Sequence, residues 1–331
     1  MMRIIIAGFG TVGQGLAETL HKKSNLLSSG HDPVRIVAAF DSKSFAIDTD
    51  GLDPMGLVTR KANTGSVGTK KLIDGTDVLD SVEYDVLIEA SPTNIETGGA
   101  GLRHIEHALS RGKDVITVNK GPLALKFKEL SRLAEKNKSS ILYEGTVGGA
   151  MPIINLCREN LQGERVRSIR GIFNGTCNFI LSRMDNGSPF EQTLKEAQQL
   201  GYAETDPRYD IEGIDTACKV VILANSIFKR NVKFSDVSIT GITSVSTEAI
   251  ALANDHDMVI RLIGEVSDTV LDVSPRLIPK GHPLSVSGTL NTAQILTDLA
   301  GPITISGKGA GRIETASAIL SDLMTLMGRR R

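Results

Sequence analysis

From Gly201 to Lys219 the chain reads GYAETDPRYDIEGIDTACK, with five carboxylates (Glu204, Asp206, Asp210, Glu212 and Asp215) ahead of a single lysine. Asp215 and Lys219 stand one helical turn apart, in the acid-before-base order that supports an exposed helix by about 0.3–0.5 kcal/mol. Most other residues from Ile214 to Phe228 are apolar, so the pair reads either as part of a solvated stripe or as a lysine bordering the core. Partial desolvation prepares a lysine for proton transfer, and nearby acids hold its charge and position. An amino acid bearing an alcohol or aldehyde needs carboxylates for its ammonium, a cation for its carboxylate and a proton donor at its reacting oxygen. Glu204, Asp210 and Asp215 can supply the first, and Lys120 and Lys219 the others.

A second group with chemical meaning opens the chain. IIIAGFGTVGQGLAETL sets Gly8, Gly10 and Gly13 in G-x-G-x-x-G spacing after a β-branched run and before a helical pattern. The first glycine permits the tight turn, the second lets backbone approach a pyrophosphate, and the third lets helix and strand close up. The helix N-terminus adds amides and partial positive charge. Asp41, at the end of the next strand, is the acid expected on the adenosine ribose of NAD. It lies further from the triplet than the usual spacing of about 20 residues, an excess the polar insertion Ser24 to Pro33 accounts for. Ser42 and Lys43 follow it and can bind a 2′-phosphate, so the choice between NAD and NADP stays open.

Ligands of an open parallel sheet sit beyond the carboxyl ends of its strands. VLIEASPTN places Ser91, Pro92 and Thr93 at one such end, either to hold the nicotinamide half of a dinucleotide or as an ordinary helix entry. VITVNKGPLAL ends another strand in Asn119 and Lys120, the lysine being a loop charge or a group that meets an anion or a reacting oxygen. LYEGTVGGAMP turns from Glu144 to Pro152 through Gly145, Gly148 and Gly149, as a site of backbone carbonyls for a monovalent cation or as a domain hinge.

The elements that must position these residues follow from patterning. At 331 residues the chain is long for one domain and comfortable for two. Up to about Ala150, β-branched runs (Arg3 to Ala7, Val34 to Phe40, Asp85 to Ala90, Asp114 to Val118, Ser140 to Tyr143) alternate with helical stretches, the signature of a parallel sheet. Leu123, Phe127, Leu130 and Ala134 give one helix a core-facing stripe, with Lys126, Lys128, Glu129 and Lys136 for the wet side. After Pro152, helices near Phe190 to Leu200 and Gly213 to Phe228 mix with alternating runs at Val166 to Phe173, Met258 to Val266 and Val270 to Ile278, which reads as α+β with an antiparallel sheet. Asp48 to Gly68 reads as a loop, and Arg329 to Arg331 as a frayed end. With 37 basic against 38 acidic side chains there is no global field for nucleic acid or membranes. Three separated cysteines without ligand spacing read as reduced thiols. With no signal-like or membrane-length apolar run, a cytoplasmic location is expected. His104 and His107, on one helix face without a third ligand, read as surface or packing residues.

These residues resemble the homoserine dehydrogenases. The family pattern A-x-x-x-G-aromatic-small, spacer, D-P-x-x-D-aliphatic-x-G-x-D-x-x-x-K is met at Ala197, Gly201, Tyr202, Asp206, Pro207, Asp210, Ile211, Gly213, Asp215 and Lys219. The likeness extends through GFGTVG, Asn119-Lys120, EGTVGGAMP, NGTCNFIL from Asn174 and GKGAGRIETASAILSDL from Gly307, so it spans essentially the whole chain. It implies a Rossmann-type doubly wound parallel sheet over residues 1–150, completed by 307–331, and an α+β substrate and dimerisation domain over 151–306 with a mixed or antiparallel sheet. The implied reaction is NAD- or NADP-linked interconversion of L-homoserine and L-aspartate 4-semialdehyde, on the route to threonine, methionine and isoleucine, in a homodimer. Lys219 is implied as proton donor or acceptor, with Lys120 near substrate and nicotinamide. Glu204 and Asp215 correspond to substrate-binding acids, and Asp210 to the acid that orders the site. Gly8, Phe9, Gly10, Thr11, Val12, Gly13, Asp41, Ser91, Thr93, Lys120 and Gly311 are the expected coenzyme residues. Glu144, Val147, Gly149 and Met151 correspond to the residues whose carbonyls bind sodium. No kinase segment ahead of Met1 and no regulatory domain after Gly328 is expected, nor threonine feedback through one. Cys177 stands where relatives often carry another small polar residue.

Two other readings compete. Cys177 in its Gly-rich turn can be the thiolate of an aldehyde dehydrogenase that forms a thioester, although neither His256 nor His282 sits in a recognisable partner motif. A dinucleotide-binding sensor without turnover would tolerate loss of Lys219.

Overall fold

The computed structural model describes residues 1–25 and 33–329, so most of the Ser24 to Pro33 insertion and the last two arginines lie outside the described residues. The chain forms two compact units, one of Met1–Thr146 with Gly311–Arg331 and one of Val147–Ala310.

The first unit is built on a seven-stranded sheet: β1 (Met2–Ala7), β2 (Val34–Phe40), β3 (Ser44–Ile47), β4 (Lys70–Lys71), β5 (Val86–Glu89), β6 (Asp114–Thr117) and β7 (Ile141–Leu142), in the order β4-β3-β2-β1-β5-β6-β7. Strands β2, β1, β5, β6 and β7 run parallel, while β3 and β4 append antiparallel. Ile4, Ile5, Ile6 and Ala7 are fully buried, as a strand covered on both faces requires. The order reverses between β1 and β5, the switch point at which doubly wound sheets bind ligands.

Helices α1 (Thr11–Lys22), α2 (Pro54–Thr64), α3 (Gly75–Asp80), α4 (Gly99–Ser110), α5 (Lys120–Lys136) and, after the second unit, α11 (Arg312–Arg329) complete this unit. In α5, Leu123, Leu130 and Ala134 are buried, and Phe127, half-buried, meets the Tyr143 ring edge-on at 5.4 Å. Helix α11 drives Ala316, Ile319, Leu323, Leu326 and Met327 into the core beside Ile4, Ile6, Leu16 and Leu20, and Arg329 is its last residue rather than frayed chain.

The segment read as a loop, Asp48 to Gly68, contains α2. Asp53 caps it by accepting from the amides of Met55 (3.3 Å) and Gly56 (2.8 Å), Pro54 occupies the first turn, and Gly65 ends it with φ +70°. Leu57 is its one buried residue, so the helix has caps but almost no apolar periodicity.

The second unit contains a six-stranded sheet in the order β13-β12-β8-β10-β11-β9, from β8 (Val166–Ile172), β9 (Ser238–Ile239), β10 (Met258–Ser267), β11 (Leu271–Pro279), β12 (Leu290–Thr297) and β13 (Pro302–Lys308). All neighbours are antiparallel except β11 and β9, which makes the sheet mixed. Helices α6 (Gly175–Met184), α7 (Phe190–Gln199), α8 (Arg208–Ile211), α9 (Ile214–Ser226) and α10 (Thr247–Asp255) belong with it. Every residue of α9 from Asp215 to Ser226 is buried. A Cβ on Gly264 of β10 would lie 2.9–3.0 Å from Thr216 and Val220 of α9, so the missing side chain is what lets the helix lie against the sheet.

Candidate active site

In the first unit the glycine turn has the shape its spacing implies. Gly8 has φ +93°, and a Cβ there would stand 2.5 Å from the Ala90 carbonyl and the Ser91 amide, at the β1/β5 switch point. A Cβ on Gly13 would collide with the Gly8 carbonyl oxygen, whereas one on Gly10 would meet nothing within 4 Å. Gly10 caps α1 without a side-chain hydrogen bond, leaving first-turn amides for a phosphate. Thr11 is exposed and Val12 half-buried, while the Phe9 ring is in the core, so only its backbone can serve a ligand.

Asp41 is less available than the sequence suggests. One oxygen accepts from the amides of Lys43 and Ser44, both at 2.8 Å, and the other from Lys61 Nζ (2.6 Å) and the Val67 amide (3.1 Å). Burial pushes its carboxyl upward, but the Lys61 bond and the Lys43 and Ser44 amides win and hold it below the usual range. It is a charged acceptor already committed to the α2 segment and balanced by Lys61.

Around the ends of β5 and β6 a polar chain joins Ser91 and Asn119 to Glu89, which the sequence reading did not assign, and to His104, read there as a surface or packing residue. Glu89, fully buried, accepts from the amide of Ser91 (2.7 Å) and from its hydroxyl, and its other oxygen meets His104 Nδ1 at 2.8 Å. Asn119 Nδ2 donates to Ser91 Oγ and the Pro92 carbonyl, both at 3.3 Å, and its Oδ1 accepts from the Gly121 amide. This fixes Ser91 and the start of α5, whose first residue is the half-buried Lys120. Thr93 is half-buried in the same loop, and His107 meets Asp80 at 2.9 Å. Gly311, φ +140°, immediately precedes α11, and Glu144, buried in a 3₁₀ turn, donates its amide to Asp322 at 2.9 Å.

In the second unit the acid-rich segment resolves into a compact cluster. Lys219 and Asp215 are each 7% exposed and paired at 2.7 Å, and the amine also donates to the Phe173 carbonyl. Lys219 therefore borders the core and is not part of a solvated stripe. Asn174, 5% exposed, donates from its single amide nitrogen to Asp210 Oδ1 (2.7 Å) and Asp215 Oδ2 (2.9 Å), and accepts from the Cys177 amide (2.8 Å) as N-cap of α6. Asp210 is half-buried, and burial together with the Asp215 charge raises its carboxyl, against the opposing pull of Asn174 and Lys219. Glu204 is exposed on the preceding segment and, among the described residues, takes no part in the bonds that join this cluster.

Cys177 is fully buried, and its thiol donates to the Asp210 carbonyl at 3.2 Å. Burial, then Asp210 and Asp215, push it well above the usual thiol value, which leaves no thiolate nucleophile near neutrality. Gly148 and Gly149 take φ +86° and +57°, beside the buried Val147 and Met151. A Cβ on Gly149 would lie 2.6 Å from the Gly309 carbonyl oxygen and 2.9 Å from that of Lys308, so this turn packs too closely for a side chain against the Lys308-Gly309 backbone, where the Ala150 amide donates to the Lys308 carbonyl at 3.1 Å. No cluster of three His, Cys, Asp or Glu side chains suited to a metal occurs among the described residues.

Sequence and fold are similar to those of homoserine dehydrogenases. Residues 8–144 match the family model described as homoserine dehydrogenase, NAD binding domain, and residues 152–324 that described as homoserine dehydrogenase. Over 328 residues the chain is 48% identical to homoserine dehydrogenase of Methanocaldococcus jannaschii, covering 98% of each. It is 36% identical over 335 residues to an NAD(+)-dependent homoserine dehydrogenase of Pseudomonas canavaninivorans, covering 97% of this chain and 95% of that one. It is also similar to the structure of a hyperthermophilic archaeal homoserine dehydrogenase in complex with NADPH, with TM-score 0.86 and 29% identity over 100% of this chain and 98% of that chain.

Proposed function

The chain belongs to the homoserine dehydrogenase family, and from that premise we propose how its residues share the work of an NAD(P)-dependent oxidoreductase that interconverts L-homoserine and L-aspartate 4-semialdehyde. The observation that carries the proposal is the buried Lys219 amine, held by Asp215 and the Phe173 carbonyl within reach of the Asn174 and Asp210 network. A cation fixed this way is a proton donor whose position does not depend on a flexible stem.

In the direction of reduction, Lys219 gives a proton to the aldehyde oxygen as that carbon receives hydride; in oxidation the same amine takes the hydroxyl proton back. The bound dinucleotide supplies or accepts the hydride. Gly8 to Gly13 and the open first turn of α1 hold its pyrophosphate, Gly311 serves the same ligand, and Ser91 and Thr93 hold its nicotinamide half, with Ser91 kept in place by Glu89. Asp41, through its Lys61-balanced carboxylate, lies at the ribose. Lys120 binds the substrate carboxylate or the oxygen beside the coenzyme, and Glu204 and Asp215 the substrate ammonium, while Asp210 orders Asn174 and the α6 terminus. Hard oxygen ligands suit a sodium ion at the carbonyls of Val147, Gly149 and Met151; Glu144, expected with them, belongs to the first unit.

The reaction so assigned belongs to the route to threonine, methionine and isoleucine. Three buried cysteines outside any disulfide accord with a reducing cytoplasm, no described helix is long and apolar enough to cross a membrane, and the second unit is the part proposed to pair two copies in a homodimer. Absorbance at 340 nm, with homoserine or the semialdehyde and each coenzyme in turn, tests the proposal. Turnover of neither substrate with either coenzyme would refute it.

A further inference from the structure

We propose that Asn174 is a positioning residue for this reaction, a neutral clamp that holds Asp210 and Asp215 together through the two hydrogens of one amide. The inference rests on the functional reading above for its effect on turnover and on geometry alone for its effect on the fold. Asn174 belongs to the loop after β8, whereas its partners lie 36 and 41 residues further along. Its Nδ2 reaches both carboxylates while Oδ1 takes the Cys177 amide, so all three of its short bonds face structure already in place.

The chemistry demanded at this position is narrow. The group must donate twice and accept once without charge, from a side chain short enough to cap α6. Among the natural side chains an amide does this; Asp accepts only, Ser offers one hydrogen, and Ala offers none. The charged or titratable groups around Asn174 and its two carboxylates are Tyr209 and Asp210 of α8, Asp215 and Lys219 of α9, and Cys177 of α6. Among the described residues Lys219 is the cation bonded within this pair, through Asp215, and Asn174 donates to both carboxylates, with Thr176 a further donor to Asp210. Asp215 is in turn the side-chain partner of the Lys219 amine, so a displaced Asp215 moves the proton donor. The raised carboxyl of Asp210 accords with this arrangement, since Asn174 opposes the upward pull of burial and of Asp215.

The test is Asn174→Asp, nearly identical in shape but with three carboxylates around one lysine. At pH 8 its kcat/KM for homoserine is expected to fall at least 100-fold, with KM for homoserine rising and coenzyme affinity, read by NADPH fluorescence, unchanged within twofold. The deficit should shrink toward pH 5, where a shared proton restores a donor. Asn174→Ser, which keeps one hydrogen, is expected to lose about tenfold, and it decides by the same readouts should the aspartate variant not fold. Full activity in the folded variant, or coenzyme affinity lost in step with activity, would overturn the clamp. If the parent protein fails to turn over homoserine, the functional reading falls, and urea unfolding judges the clamp separately. Clustered carboxylates bind protons more tightly folded than unfolded, so the stability deficit of Asn174→Asp must grow as pH rises from 5 to 8. A deficit independent of pH would overturn the proposal.

Discussion

Replacing Lys219 by Met removes one charge from the second unit and little volume. Lys219 is 7% exposed, its amine 2.7 Å from Asp215 and bonded to the Phe173 carbonyl, so both partners stay behind in a largely buried site. Leaving one member of a buried pair uncompensated costs about 3–5 kcal/mol, whereas an exposed pair would cost about 0–1 kcal/mol. Adding Asp215→Asn removes the stranded charge, and the new side-chain oxygen can still accept from Asn174. Neutral replacement of both partners of a buried pair is often close to neutral in stability, so the double variant should return to within about 1–2 kcal/mol of the parent. Urea unfolding at fixed protein concentration measures both steps, since any association would make the midpoint concentration-dependent. The slope with urea should stay constant, so that midpoints report stability. Both variants should lose at least about 100-fold in turnover, the usual contribution of a positioned proton donor, while still binding coenzyme. A single variant within about 1 kcal/mol of the parent, or a double variant no better than the single, would show that the amine is not confined as described.

Other consequences follow from the same geometry. Cys177→Ser should keep most activity and lose about 1–2 kcal/mol of stability, because the thiol is buried, protonated and bonded to the Asp210 carbonyl; abolished turnover in a folded variant would revive thioester chemistry. Asp210 has a folded carboxyl raised by burial and by Asp215, so its contribution to stability falls as pH rises above the unfolded value of about 3.9. Asp210→Asn should thus be more stable than the parent at pH 8 and lose that advantage near pH 4, as urea midpoints at the two values will show. Gly13→Ala drives a methyl against the Gly8 carbonyl and should cost about 1–3 kcal/mol. Gly10→Ala has room in the unliganded fold and should change stability by less than about 0.5 kcal/mol, yet weaken coenzyme binding in a fluorescence titration.

What was legible in the sequence depended on whether a single local rule controlled it. Strands β1 and β2 show as apolar runs because burial on both faces leaves polar side chains only near their amino ends, at Arg3 and Arg35, and Gly8 and Gly13 show because backbone collisions enforce them. Helix α2 was missed although Asp53-Pro54 and Gly65 punctuate it, since one buried residue gives no period. That omission hid the state of Asp41, because Lys61 and Val67 come from the same segment. The alternation of β13 went unnoticed within a short Thr- and Ser-bearing run. Asp215 and Lys219 were visible as an i, i+4 pair, but their burial was not settled by the helical wheel. Asn174 stands in the sequence only as the start of NGTCNFIL; its bonds to residues 36 and 41 positions away are contacts that only tertiary structure creates. Glu89 and His104 were opaque for the same reason, an acid within an apolar strand and an imidazole on a helix with nothing local to join them.

The division of the chain also has a consequence for synthesis. The sheet that binds β1 and α1 takes part of its apolar cover from α11, including Ile319, Leu323 and Leu326, yet roughly 160 residues of the other unit come off the ribosome in between. At about 5–20 residues per second the nascent amino-terminal strands wait about 8–32 s for that cover. Through this interval Ile4, Ile6 and Leu16 lack part of their final packing, so the newborn chain is a candidate client for chaperones, whereas the intervening unit has its whole sequence in hand before α11 is made.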